Sequence, residues 1–139
     1  EYMSVVQRSN PTHIGFHAHD NMGLALTNSL AAIECGADFI DCSLRGMGNS
    51  SGNLKTETLL MYLNKALDYS FDLPKLLNLA SQFEDWIPES TPVHTPHQMW
   101  LGFLDIADKS EYLSEIECIM NRDNISWFQA AMQFKKSRD

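Results

Sequence analysis

The sequence is poor in cysteine, in positive charge and in long apolar runs, and each shortage excludes something. Its three cysteines, Cys35, Cys42 and Cys118, are odd in number and form no Cys-x-x-Cys pair. That argues against a disulfide framework and for a reducing, cytoplasmic compartment. Lys and Arg number 10 against 18 Asp and Glu, a formal net charge of −8. Phosphate backbones need basic patches, so nucleic acid is not an expected partner. No apolar stretch approaches the roughly 20 residues that span a bilayer, so no membrane association is expected. No basic-then-apolar leader is visible at the N-terminus. The chain does not begin with Met, and Glu1 to Gln7 read as a helix cut in mid-element, so an excised piece is expected. With 139 residues and 44% hydrophobic content, the chain can still build a real core.

What is present begins with a His-x-His pair, His17 and His19, at the end of the apolar run Ile14-Gly15-Phe16. Residues two apart on a strand share a face. At about 3.3 Å per residue their roots stand roughly 6–7 Å apart, close enough to converge on one ion. Neutral imidazole is the commonest protein metal ligand. Asp20, Asn21, Met22 and Gly23 follow as a loop, so the pair lies where a strand ends, the place where α/β enzymes keep their chemistry.

Hydrophobic spacing organises the rest. Asn10-Pro11 breaks the opening segment. Thr12 to His19 reads as a strand. Leu26, Leu30, Ile33 and Ala37 predict an amphipathic helix over about 23–35, closed by Gly36. Ala37 to Leu44 reads as a second strand, completing a βαβ unit with a parallel pair. A glycine-rich loop, Gly46-x-Gly48-x-x-x-Gly52-Asn53, leads into a helix whose stripe is Leu59, Leu60, Leu63, Ala66 and Leu67. Asn53 is a candidate N-cap for that helix, and the loop also offers free N–H groups to an anion. From Phe71 onward the pattern is helical. Leu73, Leu76, Leu77, Ala80, Phe83 and Ile87 space as one helix, and Pro88, Pro92 and Pro96 punctuate a linker. Short helices follow around Trp100 and around Ile116, and Ser126 with Gln129 marks the capping box of a last one. Residues 1–70 are therefore expected to be α/β and residues 71–139 a helical region.

Together the two motifs resemble the HMG-CoA lyase-like metal-dependent aldolases and Claisen synthases, also called DRE-TIM metallolyases. His17-Ala18-His19-Asp20-Asn21-Met22-Gly23-Leu24-Ala25 through Asn28-Ser29 is similar to that family's histidine segment. Gly36 through Gly48, then Gly52-Asn53, is similar to its next stretch in type and order. Asp41-Cys42-Ser43-Leu44-Arg45-Gly46-Met47-Gly48 is closer to the 4-hydroxy-2-oxovalerate aldolases than to the synthases. The resemblance implies the C-terminal fragment of a (β/α)₈ TIM barrel, which needs about 250 residues when complete. It implies one divalent ion, Mn²⁺ or Mg²⁺, with His17, His19 and Asn53 as ligands and Asp20 and Asn21 supporting them. Ser43, Gly46, Gly48 and Gly52 would line the substrate pocket. The implied reaction is retro-aldol cleavage of a 4-hydroxy-2-oxo acid to pyruvate and an aldehyde. The implied partners are a 2-oxo acid, further copies of the chain, and an acylating aldehyde dehydrogenase. The family's Asp-Arg-Glu run is not in this sequence, so the general base and the enolate-stabilising Arg are expected upstream and the chain alone is expected to be inactive.

Other readings are open at this point. A Claisen-type synthase shares the histidine pair. An amidohydrolase barrel would need later histidines, for which only His94 and His97 in the proline-rich linker are available. The helical region from Phe71 to Asp139 would also suit a non-catalytic docking or oligomerisation module.

Overall fold

The computed structural model describes residues 12–83 and 95–138. The expected opening helix end, and Pro88, Pro92 and His94, lie outside those residues. The chain divides into two compact units, 1–93 and 94–139.

The first unit is built on a parallel two-stranded sheet. Strand β1 (Gly15–His17) pairs with β2 (Phe39–Asp41) in the register Gly15↔Phe39, Phe16↔Ile40, His17↔Asp41. The backbone oxygen of Ile14 accepts from the N–H groups of Asp38 and Phe39, and the Asp38 carboxylate accepts from the N–H of Ile14. Helix α1 (Ala25–Glu34) makes the crossover. It buries Ala25, Ser29 and Ala32, while Leu26, Leu30 and Ile33 pack against the core beside them. Its end matches the expected C-terminal glycine, since Gly36 takes φ +86°. The βαβ unit is therefore present with its predicted order, but each strand is three residues rather than eight. The ladder stops because His19 leaves β2 and bridges to Asn53, and Ser43 bridges to Lys55.

A single turn of 3₁₀ helix, Leu44–Gly46, opens the glycine loop. Helix α2 (Thr56–Ala66) follows, burying Glu57, Leu59 and Leu63. Its N-cap residue is Lys55, so Asn53 does not cap it. Ala66 and Leu67, expected in the buried stripe, are exposed because the helix packs through its first two turns. Helix α3 (Leu73–Gln82) is capped by Asp72, whose carboxylate accepts from the N–H of Lys75. Asn64 of α2 exchanges two hydrogen bonds with the backbone of Phe71 and fixes the turn between the helices. Periodicity groups α3 with the C-terminal helices; in the structure it packs against α2 inside the first unit. The core of this unit is small: Ala18, Ala25, Leu54, Leu59 and Leu63.

The second unit is helical. It comprises α4 (Pro96–Phe103), α5 (Ser110–Asp123) and α6 (Trp127–Lys136). Two capping boxes start α4 and α6: Thr95 with Gln98, and Ser126 with Gln129. Helix α5 ends at Asn124 in the left-handed region, φ +51°, a conformation that asparagine tolerates better than most residues. Leu101, Ile106, Ile116, Ala130, Ala131 and Phe134 form a continuous core. Among the described residues no helix is long and apolar enough to cross a membrane.

Candidate metal centre

The glycine loop folds back and brings Asn53 beside the histidine pair. The N–H of Asp20 donates to the Gly52 oxygen at 2.9 Å, and the N–H of Leu54 donates to the Ala18 oxygen at 3.2 Å. The N–H of Ser43 donates to the Leu54 oxygen at 3.0 Å. Residues 52–54 are thus stitched to the outgoing ends of both strands, and His19 and Asn53 stand opposite each other.

Glycines ease this path at several points, Gly46 at φ +72° among them. Gly52 has φ +84°, and a Cβ there would run into the backbone oxygen of Gly46. At Gly48 a Cβ would stand 2.7–2.8 Å from the side-chain amide of Asn53, closer than atoms pack without displacement. The loop is pinned further by Ser43, whose hydroxyl donates to the Met47 oxygen at 2.6 Å. The same oxygen accepts from the Asn53 side-chain N–H at 3.2 Å. Glu57, 8% exposed, accepts the N–H of Arg45 with both carboxylate oxygens, at 2.8 and 3.1 Å. Arg45 itself lies at φ +58°, so the clamp holds a backbone conformation that an arginine rarely adopts.

The imidazoles of His17 and His19 lie 5.0 Å apart between ring centroids, with planes inclined at 70°. At that spacing one nitrogen of each can reach a shared ion at the usual distance of about 2.0–2.1 Å. The Nδ1 of His17 lies 3.3 Å from the Asp41 carboxylate, its register partner on β2. The Oδ1 of Asn53 is buried without a hydrogen-bond partner among the described residues, as is the Oδ1 of Asn21. Leaving a buried acceptor unpaired costs roughly 1–3 kcal/mol, so the orphan oxygen of Asn53, on the residue bridged to His19, is a donor that a cation would satisfy. Three donors of this type, two imidazole nitrogens and an amide oxygen, suit a divalent metal with open positions. Among the described residues no three His, Cys, Asp or Glu side chains converge as a complete metal set.

The other expected site residues spread around this point. The Asp20 carboxylate accepts from the N–H of Ala25, the first residue of α1, at 2.9 Å, although the N-cap position itself is Leu24. Asp20 also lines a hollow of about 250 Å³ with Gly23, Leu26, Leu54, Lys55 and Thr58. Gly46 is buried, Gly48 faces the Asn53 amide, and Ser43 is committed to the loop. His97 is in the first turn of α4, with its ring against Trp127 and Phe128. Sequence reasoning missed Asp41 and Glu57 as site-building residues. The spacing of His17 and Asp41 on two parallel strands was the available signal, but it needs the register to read.

The HMGL-like family model matches residues 1–82, and the chain belongs to that family. Its curated relatives are named 4-hydroxy-2-oxovalerate aldolases. The one from Geobacillus genomosp. 3 is 40% identical over 94 residues, covering 67% of this chain and 28% of the relative. The one from Thermus thermophilus is 50% identical over 68 residues, covering 48% of this chain and 20% of the relative. A solved structure, the N-terminal domain of an inferred aldolase from Bacteroides vulgatus, superposes with TM-score 0.69 at 36% identity. The match covers 74% of this chain and 36% of that one. The chain therefore spans less than a third of the length of these curated relatives.

Proposed function

We propose that this chain carries the last β/α units of a (β/α)₈ barrel, and that the whole protein is a divalent-metal-dependent aldolase. Its substrate is a 4-hydroxy-2-oxo acid, cleaved to pyruvate and an aldehyde. The observation that carries this reading is the His19–Asn53 bridge. It makes Asn53, whose buried amide oxygen is unpaired among the described residues, the bridge partner of His19, which in turn stacks edge-on with His17. The names of the relatives and the family match support the same chemistry.

In this reading His17, His19 and Asn53 hold Mn²⁺ or Mg²⁺. When bound, such an ion supplies Lewis-acid polarisation of the carboxylate and keto oxygens of a 2-oxo acid. The chain's own residues do the positioning. Gly48 leaves room for the Asn53 amide, and Gly52 lets the backbone pass close to Gly46, which keeps the loop tight against the strand ends. Asp20 fixes the start of α1 and so orients the segment that follows His19. A further, carboxylate ligand, the general base and the enolate-stabilising arginine belong in this reading to the remainder of the barrel, so the 139-residue chain by itself is inactive. The exposed Phe39 on a two-stranded sheet supports completion by further strands or by another copy of the chain. The aldehyde product suits an acylating aldehyde dehydrogenase partner, and the compartment is the cytoplasm.

The test compares this chain with the longer protein. Elemental analysis after dialysis reads the metal, and a coupled assay reads pyruvate released from 4-hydroxy-2-oxovalerate. Metal retention and turnover in the longer protein, lost in His17→Ala and His19→Ala, is the expected result. A longer protein that neither holds metal nor releases pyruvate overturns the assignment.

A further inference from the structure

The two imidazoles are not equivalent. His19 makes no side-chain hydrogen bond among the described residues and contacts the His17 ring edge-on. His17 has a carboxylate behind it. Asp41 occupies the register position opposite His17 on β2, and in a parallel pair such partners stand on the same face. Its Oδ2 lies 3.3 Å from Nδ1 of His17. An ionised carboxylate only accepts, so the proton of a neutral His17 must sit on Nδ1 for this contact to be a hydrogen bond. That leaves the lone pair on Nε2, the nitrogen remote from Asp41.

We propose that Asp41 is the positioning residue of the metal centre. It accepts from Nδ1–H of His17, selects that tautomer and turns Nε2 out as the ligating atom. The proposal rests on the metal-aldolase reading for its purpose, but the tautomer it assigns exists without metal. Carboxylates that accept from a ligating imidazole fix the ring and raise its basicity, and their loss typically weakens metal binding by about 10–100-fold. The pair sits on the surface, with 67% of the Asp41 side chain and 47% of the His17 side chain exposed. Exposed pairs of this kind add little to folding, so removal of Asp41 reads out at the histidine rather than in the fold.

The experiment is a long-range ¹H–¹⁵N correlation of the imidazoles in the metal-free 139-residue chain at about pH 8, where histidine is neutral. Single His→Gln variants assign the signals. The expected spectrum shows His17 protonated on Nδ1 in the wild type and relaxed toward Nε2 protonation in Asp41→Ala. Asp41→Asn, which keeps an acceptor oxygen, restores the Nδ1 form at least in part. Mn²⁺ binding to the longer protein, read by electron paramagnetic resonance of the free ion, weakens about 10–100-fold in Asp41→Ala and less in Asp41→Asn. His17 protonated on Nε2 in the wild type, or a tautomer unmoved by Asp41→Ala, overturns the proposal. If the tautomer shifts as expected while the longer protein binds no Mn²⁺, the aldolase reading fails and the Asp41 assignment stands.

Discussion

The two units solve the same problem to different degrees. The helical unit has one continuous core, although Phe103 stays 63% exposed at its surface. Ile116, Ala130 and Ala131 are fully buried, and reciprocal capping boxes start two of its three helices, α4 and α6. The sheet unit has three-residue strands and, among the described residues, carries buried polar side-chain atoms with no partner at Asn21, Ser29, Ser50, Ser51 and Asn53. Unmet buried hydrogen bonds cost stability that folding alone does not return. The two units therefore differ less in apolar burial than in how fully their polar groups are satisfied.

The sharpest way to break the comparison is to damage the better core. Ile116→Ala removes a fully buried side chain, with an expected cost of about 3–4 kcal/mol. Urea unfolding followed by fluorescence, to which Trp100 and Trp127 contribute, checks it. A cost below about 1 kcal/mol would mean the helical unit is looser than its burial implies. Next is Gly52→Ala in the sheet unit. A left-handed backbone angle and a collision with the Gly46 oxygen predict a loss of about 2–3 kcal/mol. On the metal-aldolase reading the longer protein should also bind Mn²⁺ more weakly, because Asn53 is the next residue. Thermal unfolding and metal analysis read both effects. Ser126→Ala deletes one capping box and should cost the helical unit about 1 kcal/mol, seen as a small drop in the urea midpoint.

The smallest effect concerns the surface pair at the end of α5. The Arg122 guanidinium donates to Asp123 at 2.7 and 3.0 Å and holds that carboxyl below its ordinary value. The folded-state value is depressed, so the associated stability is present above the unfolded value of about 3.9 and is lost as pH falls through the folded one. Arg122→Ala should return the Asp123 titration, followed by NMR, to the ordinary range and leave the unfolding midpoint at neutral pH unchanged.

Local patterns carried much of the architecture. The βαβ order, the terminating Gly36 and the Ser126–Gln129 box are all decided within a few residues, and period and capping chemistry expose them. The Thr95–Gln98 box has the same signature, followed by Pro96 at the first helical position, and was readable by the same rule. Strand lengths were not, because a strand ends where its partner leaves. Here the partner of His19 is Asn53, thirty-four residues on. Asn53 looked like a helix cap for the same reason: its neighbours in sequence suggest one role, and its neighbour in space gives it another. Asp41 is the plainest case. Its meaning depends on which residue of β1 it faces, and hydrophobic spacing carries no register.

Glu57 ties these observations to motion. It belongs to the first turn of α2, and both its oxygens grip the amide of Arg45 at the loop's entrance. The loop therefore has no independent hinge at that end: a swing of Arg45 must drag the helix with it. The left-handed turn at Arg45 and the first turn of α2 thus stand or fall together, since one carboxylate serves both.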